Sequence, residues 1–118
     1  MKLEFYYDKR KSDIEKVSKL TKKLQNLKKK NIQLKIIDIS SMSEDEVFRI
    51  YENAWKPAVY KKYKIRRVFG THRRPGIHFG IKPALLVYES DDKYPTDVYP
   101  HDIHGKVITI ENFLMTIK

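Results

Sequence analysis

Residues 3–7, LEFYY, and residues 32–39, IQLKIIDI, are the two stretches that decide the fold. Both are short, apolar and rich in aromatic or branched side chains, which predicts strands. Between them, apolar residues recur at spacings of three and four, which predicts a helix with one buried face made of Ile14, Val17, Leu20, Leu24 and Leu27. Ser12 and Glu15 form a capping-box pattern before it. A strand–helix–strand unit predicts two parallel strands with a right-handed crossover.

The rest of the chain extends this α/β pattern. Ser43 and Glu46 form a second capping-box pattern, which predicts the start of another helix. Residues 83–88, PALLVY, predict a strand entered through a proline, and residues 97–99 predict a weaker one. Thr109 is expected to cap a last helix. The order β-α-β-α-loop-β-β-α predicts one domain over residues 1–118, with a mixed four-stranded sheet and helices on both faces.

This order resembles the thioredoxin-like fold over nearly the whole chain. Residues 3–8, LEFYYD, look like the first family strand leading to the redox turn. Residues 80–88, GIKPALLVY, resemble the segment in which a cis-proline precedes the third strand. The resemblance implies a three-layer α/β/α architecture, Pro83 as the cis-proline beside the turn, and Lys82–Pro83 as the bond to inspect. Residues 56–80 would be a basic helix and loop embellishment of that fold.

The chain has no cysteine. The two cysteines of the family's redox turn would fall at Arg10 and Asp13 or at Lys11 and Ile14, and neither choice supplies a thiol. Thiol–disulfide exchange requires a thiolate, so this chemistry and thiol transfer to glutathione are excluded, as are zinc–thiolate and iron–sulfur sites. We expect no cofactor and no enzymatic activity of this kind. The expected function is that of a non-redox binding or scaffolding module for an anionic or peptide partner.

The turn that replaces the redox motif is the first candidate site. It contains Asp8, Lys9, Arg10, Lys11 and Ser12, just before a predicted helix start. Free backbone N–H groups and the helix dipole at such a position attract anions, and three basic side chains are close by. The alternative interpretation is an eroded redox turn that is kept only to start the helix.

A basic segment is the second candidate site. Residues 54–87 contain nine lysines and arginines and no acidic residue, which accounts for nearly all of the net charge of +10. Cations interleaved with aromatic residues are typical of surfaces that bind single-stranded nucleic acid. The candidate residues are Lys61, Lys62, Lys64, Arg66, Arg67, Arg73 and Arg74. The alternatives are an acidic protein partner, or a solvated helix whose aromatic residues belong to the core.

The remaining features exclude function classes rather than suggest one. His101 and His104 invite a metal interpretation, but they fall in a predicted loop with no fixed third ligand, so we expect no metal site. No apolar run is long enough to cross a bilayer and the start of the sequence has no signal-peptide pattern, so we expect no membrane contact and a cytoplasmic location. The abundance of Lys, Ile, Glu and Tyr is typical of thermophile proteins and equally of AT-rich genomes.

Overall fold

The computed structural model describes residues 1–27, 32–50, 52–53, 83–89, 95–103 and 106–117. In chain order, the elements of this part are β1 (Lys2–Tyr7), α1 (Ile14–Gln25), β2 (Gln33–Asp38), a short 3-10 turn (Ile39–Ser41), α2 (Glu44–Ile50), β3 (Ala84–Tyr88), β4 (Asp97–Tyr99), β5 (His101–Ile103), β6 (Lys106–Ile108) and α3 (Ile110–Thr116). The predicted α/β class is confirmed. The predicted embellishment at residues 56–80 lies outside the described residues.

The four strands β1 to β4 form one mixed sheet in the order β2-β1-β3-β4. Strand β1 pairs in parallel with β2, with Tyr7 beside Asp38, and antiparallel with β3, with Tyr6 beside Ala84. Strand β4 pairs antiparallel with β3. The parallel first pair, the antiparallel late pair and the mixed four-stranded sheet are therefore as the sequence predicts.

The buried residues fall into two clusters because successive residues of a strand point to opposite faces of the sheet. One cluster contains Val47 of α2 together with Tyr6, Ala84, Leu86, Tyr88 and Val98. The other contains Val17, Leu20 and Leu24 of α1, residues Ile110, Phe113 and Leu114 of α3, and Leu3, Phe5, Leu85 and Val87. Strand β3 is buried along its whole length and contributes to both clusters. Helices α1 and α3 thus pack with one set of strand residues, and α2 packs with the alternate set.

The helix starts show where local bonding departs from the sequence pattern. The capping box of α2 is confirmed: Ser43 Oγ accepts from Glu46 N–H at 3.2 Å, and the Glu46 carboxylate accepts from Ser43 N–H at 3.3 Å. Thr109 caps α3 as predicted, with Asn112 as its partner. The box predicted at Ser12 is wrong, because Asp13 is the N-cap of α1 and its carboxylate accepts from the N–H groups of Glu15 and Lys16.

A two-stranded antiparallel sheet of β5 and β6 was not predicted from the sequence. His101 pairs there with Ile108. The expectation that His101 lies in a loop is therefore wrong: it lies in β5 and its exposure is only 1%. Three-residue strands are too short to show a clear alternation, so the sequence signal for them is weak.

Candidate functional site

One edge of the main sheet brings together the predicted turn and the predicted proline. Because β1 and β2 are parallel, both end at this edge, and the turn Asp8–Ser12 continues directly from β1. Strand β3 runs the other way and begins there, with Ala84 beside Tyr6. Pro83, which is buried, comes one residue earlier. This edge is the candidate site, and we call it the turn edge.

Backbone and side-chain hydrogen bonds close the turn on itself. The carbonyl oxygen of Asp8 accepts from the N–H groups of Lys11 at 3.1 Å and of Ser12 at 2.7 Å. The Asp8 carboxylate accepts from Arg10 N–H at 2.9 Å, and Ser12 Oγ accepts from Asp8 N–H at 3.0 Å. Asp8 and Ser12 are both buried. The side chain of Ser12 therefore stabilises the turn instead of capping α1.

Asp38, the last residue of β2, fixes the turn to the neighbouring strand. One carboxylate oxygen accepts from Lys9 N–H at 3.2 Å and from Ser40 N–H at 3.0 Å, and the other accepts from the Ser40 hydroxyl at 2.9 Å. Burial alone would raise the pKa of Asp38. The bonds from Ser40 and Lys9, with the Lys9 ammonium nearby, outweigh that effect and lower the pKa below its ordinary value. Sequence reasoning did not identify Asp38 as part of the site, although its position at the end of a parallel strand was a usable signal.

The chemistry available at the turn edge comes from side chains. The N–H groups of Lys9, Arg10, Lys11 and Ser12 already donate to oxygens of this chain, so these groups form no open cradle for an anion. The side chains of Lys9, Arg10 and Lys11 are exposed. The Arg10 guanidinium lies 3.7 Å from the Asp8 carboxylate, a weak surface contact that leaves it accessible. The turn thus presents three cations on a fixed backbone.

An exposed apolar residue adjoins these cations. Ile14, the first residue of α1, was predicted to begin the buried stripe, but it is 55% exposed. The stripe begins at Val17 instead. The turn edge therefore combines positive charge with accessible apolar surface.

A second polar group lies inside the protein between β4 and α3. The Tyr99 hydroxyl donates to the Asp97 carboxylate at 2.7 Å, and the Tyr99 ring stacks on Phe113 with centroids 4.7 Å apart. Nδ1 of His101 donates to the Val98 carbonyl oxygen and lies 3.9 Å from the Asp97 carboxylate. Asp97, Tyr99 and His101 are all buried, so we interpret this group as structural.

A third polar group lies on the α2 side of the sheet and was also missed by sequence reasoning. The Tyr6 hydroxyl donates to the Glu4 carboxylate at 3.1 Å, and Lys2 Nζ lies 4.3 Å from the centre of the Tyr88 ring. Burial raises the pKa values of Tyr6 and Tyr88 above the ordinary value, and the Glu4 carboxylate adds to both shifts. The alternation of polar residues at positions 2, 4 and 6 was the available signal.

Several predicted site residues lie outside the described residues. They are Lys61, Lys62, Lys64, Arg66, Arg67, Arg73 and Arg74 of the basic segment, and Lys82 of the Lys82–Pro83 bond. In the part of the chain that is described, the cis peptide bond is Tyr99–Pro100. Within that part, no three His, Asp or Glu side chains are grouped as metal ligands would be.

No protein-family model matches the chain, and no curated protein or solved structure is significantly similar to it. The interpretation of the turn edge therefore depends on its own geometry. None of the helices in the described residues has the length and apolar character needed to cross a membrane.

Proposed function

We propose that this chain is a thioredoxin-like domain without redox activity, and that it binds an acidic peptide or protein segment at the turn edge. One observation carries the proposal: the pairing of β1 with β2 and β3 brings the turn Asp8–Ser12 and Pro83 to the same edge of the sheet. The resemblance of the sequence to the thioredoxin-like family implies that peptide-like partners bind where these two features meet.

The chemistry of the turn supports a binding role instead of a catalytic one. With no cysteine in the chain, no thiolate can attack a disulfide at this position. What the turn offers is three exposed cations, Lys9, Arg10 and Lys11, on a backbone held by its own hydrogen bonds. A fixed backbone reduces the ordering cost of binding, and arginine can bind a carboxylate through two parallel hydrogen bonds. Carboxylate groups of a peptide fit this arrangement.

Fluorescence anisotropy with a labelled oligoglutamate peptide at low salt tests the proposal. The variant K9Q/R10Q/K11Q removes the three turn cations, and K16Q/K19Q/K23Q removes three exposed cations from α1 as a matched control for net charge. Each exposed cation contributes about 0.5 kcal/mol, so the turn variant should bind about tenfold more weakly. The control should bind within about twofold of the original protein, since its charges lie further from the peptide. An equal loss in both variants would show that only net charge matters and would refute the proposed site.

An insulin-reduction assay tests the absence of redox activity separately. The pure protein should give no turnover above background with dithiothreitol or glutathione as the electron source. Turnover that persists after repurification would contradict the proposal.

Binding of single-stranded nucleic acid by residues 56–82 is the second candidate function. The concentration of nearly all the net positive charge in this one segment favours it. If about five phosphates are neutralised, the logarithm of the binding constant should fall with the logarithm of salt concentration at a slope of about −4. The variant R73Q/R74Q should weaken this binding, whereas K9Q/R10Q/K11Q should not. No binding of single-stranded RNA or DNA at low salt would remove this candidate.

A further inference from the structure

Two oppositely charged patches follow the ends of β1 and β2 at the turn edge, one before α1 and the other at the start of α2. The cationic patch is Lys9–Lys11. The acidic patch is Glu44–Glu46 in the first turn of α2. The bond from Lys9 N–H to Asp38 holds the cationic patch against the end of β2, and the 3-10 turn Ile39–Ser41 follows immediately. Glu44 is three residues beyond Ser41 and so lies within about 11 Å of it.

The outer face of α2 is chemically complementary to the cationic patch. Glu44 and Asp45 are exposed and precede Phe48 by four and three residues, so the three side chains share one side of the helix. Val47 occupies the buried side. Phe48 is 45% exposed, and on the cationic side Ile14 is 55% exposed. Each patch therefore has charges of one sign next to an apolar side chain that is partly exposed.

We propose that a second copy of this chain is a partner of the turn edge, through a two-fold interface in which the acidic patch of each copy contacts the cationic patch of the other. This inference rests on the proposed function, since it names one acidic segment that the cationic patch binds. Helix α1, which follows the cationic patch, packs with one set of strand residues, and α2 packs with the alternate set. Consider a two-fold axis that lies in the plane of the sheet and runs perpendicular to its strands. Rotation about this axis turns the sheet over, so the α1 face of one copy lies on the same side as the α2 face of the other. The same rotation therefore makes both contacts at once, as a self-complementary interface requires.

The charge balance also favours this edge for self-association. The net charge of +10 makes two copies repel each other in most orientations. The two patches carry three cations and three carboxylates, so they cancel each other locally. Among the described residues, the ion pairs do not join the cationic patch to the acidic patch within one copy. All six side chains are exposed, and those of Arg10 and Glu46 also contact groups of their own patch or turn.

Sedimentation velocity with charge-exchanged variants tests the inference. The original chain should dimerise at low salt and dissociate at about 0.5 M salt, where charges are screened beyond a few ångströms. The variants K9E/R10E/K11E and E44K/D45K should each be monomeric at low salt, because each places like charges in both contacts. Mixing them should restore a dimer, since each contact is then attractive again. The variant that carries all five exchanges should dimerise by itself.

The outcomes separate this inference from the proposed function. A chain that stays monomeric at low salt, or single variants that still dimerise, would overturn the inference. Oligoglutamate binding that depends on Lys9–Lys11 would leave the proposed function standing in either case. Thermal unfolding followed by circular dichroism confirms that each variant is folded, and the five-exchange variant keeps the test decisive if one partner variant folds poorly.

Discussion

Replacing Asp38 with alanine should destabilise the protein by about 2 kcal/mol at pH 7. The Asp38 carboxylate caps the 3-10 turn through Ser40, a contribution of about 1 kcal/mol. It also accepts from Lys9 N–H across 29 residues of chain, which adds about 1 kcal/mol. This is the contribution of an ordinary hydrogen bond, below the range of about 1.5–3 kcal/mol for a charged acceptor, because Asp38 is only half-buried. Urea unfolding followed by far-UV circular dichroism measures the loss.

The same variant makes a prediction about pH. The pKa of Asp38 is lowered in the folded protein, so its stabilising contribution is complete above the unfolded pKa and is lost as pH falls through the folded one. The difference between the two proteins should therefore shrink below about pH 4. E89A is the matched control, since it removes an exposed carboxylate, and it should change stability by less than about 0.5 kcal/mol. A loss below about 0.5 kcal/mol for D38A at pH 7, or one that does not change on acidification, would refute the role of this carboxylate.

Three further measurements test the core. Burial raises the pKa values of Tyr6 and Tyr88, so the contribution of the two neutral hydroxyls to the free energy of unfolding should be fully present below about pH 10. Above that pH the free energy of unfolding should fall by up to about 1.4 kcal/mol per pH unit for each tyrosine. The variant Y6F/Y88F should show a flatter pH profile in urea unfolding, and an unchanged slope would contradict the effect of burial on these two groups. The variant Y99F removes a 2.7 Å hydrogen bond to a buried carboxylate and should lower the free energy of unfolding by about 1–3 kcal/mol in the same assay. A neutral result would contradict a stabilising role for this bond. L86A should lower the free energy of unfolding by about 2–5 kcal/mol, because the Leu86 side chain is fully buried. M115A is the control: Met115 is 69% exposed, and its replacement should lower the free energy of unfolding by less than about 0.5 kcal/mol. Equal losses would mean that the assigned core is wrong.

The sequence predicted the long-range pattern of the fold better than its local details. Strands β1 and β2 were predicted because their apolar runs flank a strong helical period, and β3 because a continuous apolar run follows Pro83. The start of α1 was predicted one residue too early. Ser12 and Asp13 are both good capping residues, and the structure gives the cap to Asp13 because Ser12 is bonded to Asp8. A choice between two adjacent caps depends on tertiary contacts that a local pattern does not contain.

The candidate site was predicted only in part. The turn Asp8–Ser12 and Pro83 were identified from residues far apart in sequence, and the structure places both at one edge of the sheet. The closed bonding of the turn was not predictable, since it depends on Asp38 in the neighbouring strand. Neither was the exposure of Ile14, because an apolar residue in register with a helical stripe is normally buried.

The position of β1 in the middle of the sheet also has a consequence for how the chain reaches its native state. One side of β1 pairs with β2, which lies nearby in sequence. The other side pairs with β3, and even the pair with the smallest separation in sequence, Tyr6 with Ala84, joins residues 78 positions apart. Pairings between such distant segments form slowly. On a ribosome, the β1–β2 unit therefore emerges with the second side of β1 unpaired well before β3 is synthesised. The segment synthesised in that interval carries nearly all of the net positive charge, and like charges on neighbouring chains repel each other.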